Sequence, residues 1–125
     1  MDKIKPGNKQ ALIMFIILII SVAFSSCEKY RFSPPDVDPN ATWSLSNDIQ
    51  PIFNSNCITC HGGAISPDLR ETRSYNSLTK GEYVKTPAES SRLYTKLNAP
   101  DHQARTTPVE KLKILYWIQQ GAKDN

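Results

Sequence analysis

Cys57-Ile58-Thr59-Cys60-His61 is the stretch on which the reading of this chain turns. Two cysteines at a three-residue offset, with a histidine directly after the second, form the C-x-x-C-H pattern by which c-type haem is attached. On a helical backbone that offset lets each sulfur add across one of two porphyrin vinyl groups. His61 then lies under the iron as the proximal axial ligand. Rival chemistries fit the residues less well. A redox disulfide of the thioredoxin kind sits on a strand-to-helix turn in a βαβ unit, and no strand pattern surrounds the motif. Zinc takes four ligands, and Cys57, Cys60, His61 and His102 supply that number, but His61 abuts Cys60 instead of standing a few residues away. A structural disulfide is the remaining alternative.

The flanks of the motif read as short helices. Asp48-Ile49-Gln50-Pro51-Ile52-Phe53 predicts a helix with Pro51 in its first turn, where the ring is tolerated. Gly62-Gly63 end the motif helix. Thr72 to Lys80 predicts a further helix stopped by Gly81. Thr86-Pro87-Ala88-Glu89 has the form of a capping box and predicts a helix to about Leu97. Thr107-Pro108-Val109-Glu110 repeats the device and predicts a helix to about Gln120, ended by Gly121. Leu112, Leu115, Tyr116 and Ile118 are its expected apolar positions, with Trp117 near its end. No segment alternates with the period of a strand. The expected fold class is all-α, short helices and long loops. So small a domain buries only about 60% of its unfolded surface, and something must supplement the core.

Upstream lies a leader. Lys3, Lys5 and Lys9 precede an apolar run from Ala11 to Phe24. The run is shorter than the roughly 17–25 residues of a spanning helix and reads as an export signal. Its end, Phe24-Ser25-Ser26-Cys27, resembles a bacterial lipoprotein signal, with Phe24 where leucine is usual. That resemblance implies cleavage before Cys27, acylation of Cys27 and a membrane anchor in the cell envelope, facing the periplasm. An uncleaved anchor and a plain export signal are the alternatives. The expected organisation is a signal over 1–26, lipidated Cys27 with a Pro- and Asp-rich tether over 27–42, and a domain over 43–125.

Charge narrows the partners. The chain of 125 residues has 15 basic and 12 acidic residues, a formal +3. Most of that excess sits in the leader, and the near-neutral remainder argues against nucleic acid as a partner. Lys80, Lys85, Lys96, Lys111 and Lys113 are scattered in sequence, and acidic partners find no clear cluster among them. No hydrolase or transferase constellation and no phosphate-binding glycine loop is present.

From Asp48 onward the chain resembles a small class I-type cytochrome c domain of the kind found in lipoproteins of Bacteroidetes and Planctomycetes. The residues that carry the resemblance are Asp48 to Phe53, Cys57 to Gly62, Tyr83-Val84, Ser91-Arg92-Leu93-Tyr94 and Trp117-Ile118-Gln119-Gln120-Gly121-Ala122. It implies a helical fold wrapped around one haem c that handles single electrons without being an enzyme, with a redox partner it does not name. Leu69, Leu93, Leu97 and Trp117 would pack on the porphyrin or simply on other helices. Ligating histidines donate their second ring N–H to a carbonyl. In cytochromes c this is commonly a proline carbonyl, here Pro67 unless that residue only makes a turn.

In one respect the chain departs from that family, which uses a methionine before the last helix as the second axial ligand. Met1 and Met14 are the only methionines, and both lie in the leader. Four alternatives stand for the sixth position: His102, in the loop where the methionine would fall; water, with Gln103 or Arg105 beside it; a lysine or amine; or a group from a partner. Bis-histidine ligation would lower the reduction potential relative to His/Met. An open position would instead make a gas-binding or sensory haem domain, and a structural haem in a surface assembly is a further alternative.

Overall fold

The computed structural model describes residues 7–23 and 36–125. The chain divides into two units, Met1–Ser33 and Pro34–Asn125. Cys27, the Phe24-Ser25-Ser26 segment before it and the first part of the expected tether lie outside the described residues.

In the first unit, helix α1 spans Asn8–Ala23 and has no acidic residue in its first turn. Leu12 through Ile17 are all exposed. Its 16 residues give a length of about 24 Å at 1.5 Å per residue, less than the roughly 30 Å hydrocarbon core. Among the described residues no helix is long and apolar enough to cross a membrane.

The second unit is all-α, and no strand occurs among the described residues. It opens with a π-helical turn over Leu45–Ile49. Ser44 caps that turn, its hydroxyl accepting from Asn47 N while its own N–H donates to Asp48 Oδ2. The turn runs directly into α2, Gln50–Asn56, with Pro51 in the first turn. Proline removes a donor and crowds the carbonyl four residues back, so a widened turn before it absorbs the misfit. The motif forms α3, Ile58–His61. Two glycines then break the helix. A Cβ on Gly62 would stand 2.6 Å from Ile58 O, and Gly63 has φ +107°, a region L-residues avoid. Helix α4 spans Ser74–Lys80 with Gly81 as its cap, close to expectation.

The helix expected from Thr86 to Leu97 is instead two pieces. A 3₁₀ turn covers Ala88–Ser90, and α5 spans Arg92–Leu97. Pro87 and Ser91, with ψ of 145° and 143°, are both extended, which interrupts the helix. Ser91 is the real cap, accepting from Tyr94 N. Glu89 does not reach back to Thr86; its carboxylate accepts from Gln119 Nε2 at 2.8 Å.

The second box forms in full. Thr107 N donates to Glu110 Oε2 at 2.7 Å, and Glu110 N donates to Thr107 Oγ1 at 3.2 Å. It opens α6, Pro108–Gln119. Gly121 N and Ala122 N return to Ile118 O and Trp117 O, closing the helix with a Schellman turn. Ile114, Leu115, Trp117 and Ile118 form the buried stripe. Ile114 and Trp117 thus hold places expected of Leu112 and Tyr116, which are only partly buried. The core joins these residues to Leu45, Ile49, Ile52, Phe53, Leu69, Leu78, Leu93 and Leu97. Asn56 Nδ2 donates to Glu110 Oε1 at 3.1 Å and ties α2 to α6.

Candidate functional site

A cavity of about 1090 Å³ opens beside α3. Its size is just above the range of ordinary small-molecule and cofactor pockets, about 300–1,000 Å³. Cys57, Cys60 and His61 line it together with His102, Leu69 and Leu93. Six of these seven cofactor-binding and iron-ligating residues expected from the sequence are therefore brought together, counting His102. The seventh, Trp117, is not among the lining residues. Its ring is fully buried among the helices, and its Nε1 donates to Lys123 O at 3.0 Å.

His61 ends α3, where its N–H donates to Cys57 O. Its side chain is fixed by the loop that follows. Nδ1 lies 3.1 Å from Pro67 O and 3.3 Å from Ile65 O. Both neighbours are carbonyls and can only accept, so Nδ1 carries the proton and Nε2 keeps its lone pair. The expected proline partner is the one found.

That loop is itself braced. Leu69 N donates to His61 O at 2.8 Å. Buried Gln50 donates from Nε2 to Leu69 O at 2.8 Å and accepts from Ser74 Oγ at 2.6 Å. Asp68 N donates to Ser77 Oγ at 2.8 Å, while the Asp68 carboxylate takes a 2.6 Å ion pair from Arg70. The hydrogen bond from Arg70 holds the Asp68 carboxyl below its usual range. Gln50, Ser74 and Ser77 were not singled out in the sequence. The only signal was a glutamine on the otherwise apolar face of α2.

The two cysteines are free thiols, Cys57 partly buried and Cys60 exposed. Burial first, then the Glu110 charge and Cys60, push the Cys57 thiol up to about 11. Redox-active cysteines in C-x-x-C sites are shifted the other way, so Cys57 has the character of a protected thiol rather than an exchange nucleophile. Among the described residues no three His, Cys, Asp or Glu side chains converge as a metal cage. The four-ligand zinc arrangement is therefore not assembled in this geometry.

His102 stands on the loop between α5 and α6. Its ring centroid is 6.2 Å from that of His61, with the planes at 49°. Two imidazoles that bind one metal from opposite sides have centroids roughly 6 Å apart, since each metal–nitrogen bond is about 2.0–2.1 Å and each ring adds its own radius. His102 Nδ1 is buried without a hydrogen bond. It lies 3.1 Å from Asp101 Oδ2, off the line a hydrogen bond needs, so the contact is electrostatic. Asp101 also pairs with Lys96. Lys96 first, then His102, hold the Asp101 carboxyl down at about 2.

The remaining walls suit a flat, apolar, dianionic group. Phe53, Leu69, Leu93 and Leu97 supply buried apolar surface, and Arg92 and Arg105 supply positive charge. The Arg92 guanidinium lies over the Tyr83 ring, 4.4 Å from its centroid. A haem fits these residues: two thiols three residues apart on the cavity wall, an imidazole whose Nδ1 is engaged by carbonyls, and a second imidazole on the same cavity.

Compared with protein-family models, with curated proteins and with solved structures, the chain matches none.

Proposed function

We propose that the unit is a monohaem c-type cytochrome domain that carries single electrons on the periplasmic side of a bacterial cell envelope, tethered to a membrane there through a lipidated Cys27. The observation that carries the reading is the pair His61 and His102, ring centroids 6.2 Å apart, on the cavity that Cys57 and Cys60 also line. When bound, the group supplies a one-electron iron couple that the polypeptide lacks. Cys57 and Cys60 would hold it through their sulfurs, as thioethers. His61 presents Nε2 because Pro67 O takes its other proton. His102 would be the second side chain to hold the iron, a role that no methionine outside the leader is present to take. Two protein side chains held in place on the group would limit rearrangement between oxidation states, which would suit electron transfer better than bond chemistry. Phe53, Leu69, Leu93 and Leu97 would give the group apolar surface to pack on.

The test is expression with a c-haem maturation system. The wild-type protein should carry haem through a denaturing gel, and Cys57→Ala with Cys60→Ala should abolish that covalent band. The dithionite-reduced spectrum should be sharp, low-spin and indifferent to CO. His102→Ala should convert it to a high-spin form that binds CO. No covalent haem despite working maturation would overturn the reading. A wild-type spectrum that shifts with CO would move it to ligand sensing.

A further inference from the structure

We infer that Asp101 is a positioning residue for His102, and that the Lys96–Asp101 pair sets how strongly His102 donates to the iron. The inference rests on the haem reading above and deepens it. His102 Nδ1 is the feature that calls for a partner. It is buried, it makes no hydrogen bond, and its nearest charged atom is Asp101 Oδ2 at 3.1 Å. A buried ring nitrogen without a partner is costly, and ligating histidines ordinarily hand their second N–H to a carboxylate, carbonyl or water. His61 meets that need with Pro67 O, a neutral acceptor. His102 has an ionised carboxylate within reach instead. The two axial candidates thus differ in kind, one backed by a dipole and the other by a charge.

The carboxylate does two things. It selects the tautomer with the proton on Nδ1, which leaves Nε2 as the nitrogen available to the cavity that His102 lines. It also raises the basicity of the ring, which favours the ferric state and lowers the reduction potential. Lys96 works against this by sharing the same oxygen atom, Oδ2. The Asp101 side chain is 57% exposed, so solvent screens part of its charge, and the effect belongs at the low end for an outer partner of a metal ligand.

The test is a double-mutant cycle on the matured holoprotein, read by redox titration and by the ferric spectrum. Asp101→Asn should stay low-spin and shift the one-electron equilibrium toward the reduced form about tenfold, a rise of about 59 mV. Asp101→Glu should recover most of that shift. In a His102→Ala background, Asp101→Asn should have little effect, because the carboxylate acts through the ring. An Asp101→Asn protein with an unchanged potential would overturn the inference. So would an equal shift in the His102→Ala background, since that marks a plain field effect on the iron. Absence of covalent haem from the wild-type protein is a different failure, and it removes the reading beneath.

Discussion

At Cys57 the surroundings keep a thiol protonated. Partial burial and the Glu110 carboxylate raise its deprotonation to about 11. The thiolate is the nucleophile, so alkylation of the haem-free protein should label exposed Cys60 before Cys57. Cys57 labelling should accelerate about tenfold for each pH unit as the thiolate fraction grows toward that value. Peptide mapping after iodoacetamide checks this, and equal rates near neutral pH would contradict it. The motif itself was plain in the sequence, because five adjacent residues carry it. The Pro67 partner was half legible, since a downstream proline near a ligating histidine is a weak but real sign. Asp101 was not legible as a partner of His102. Adjacency in sequence does not say which way two side chains turn, and the loop geometry that brings Oδ2 to Nδ1 appears only in three dimensions.

Between residues and fold stand the caps. Thr107 and Glu110 satisfy each other's backbone groups at the start of α6, and Glu110 also holds Asn56 of α2. Thr107→Ala should cost about 1 kcal/mol in urea unfolding, within the usual range of about 0.5–2. Ser91→Ala should cost a similar amount, because Ser91 and not Thr86 begins α5. Thr86→Ala should be near neutral, and a loss at Thr86 as large as at Ser91 would contradict the two-piece arrangement. The two Thr-Pro-x-Glu boxes look alike in sequence and behave differently. One glutamate has its cap within reach. The other is drawn to Gln119 on α6, and Leu93 of α5 donates its N–H to Tyr83 O. Tertiary partners of that kind override a local capping signal and leave no trace in the local pattern. Trp117 teaches the same lesson. Its place near the end of α6 was legible, but its burial against helices and not against the cavity depended on which face α6 turns inward.

For the whole unit, the balance between core and cavity decides stability. Among the described residues, fourteen buried apolar side chains form the core. Beside them lies a cavity of about 1090 Å³, large for the single small domain Pro34–Asn125. A domain of this size has little surplus stability, and a group filling that space adds to it directly. The Cys57→Ala/Cys60→Ala protein, made without haem, should therefore melt at least about 10 °C below the holoprotein, since each kcal/mol is worth about 4–8 °C at this length. Circular dichroism during heating measures the difference, and equal midpoints would mean that the space contributes nothing to the fold. The all-α class was legible from the absence of alternating runs and from the glycine stops. The shortage of core was legible from length alone.

One feature of the fold reaches beyond its own chemistry. Gln120 holds the chain near its entry, accepting from Trp43 N and donating to Ala41 O, while Asn125 O takes hydrogen bonds from Ser44 and Ser46. The polypeptide therefore enters and leaves the unit at one spot. A module with a single doorway can be spliced into the surface loop of a host, because the loop need open only by the width of that doorway.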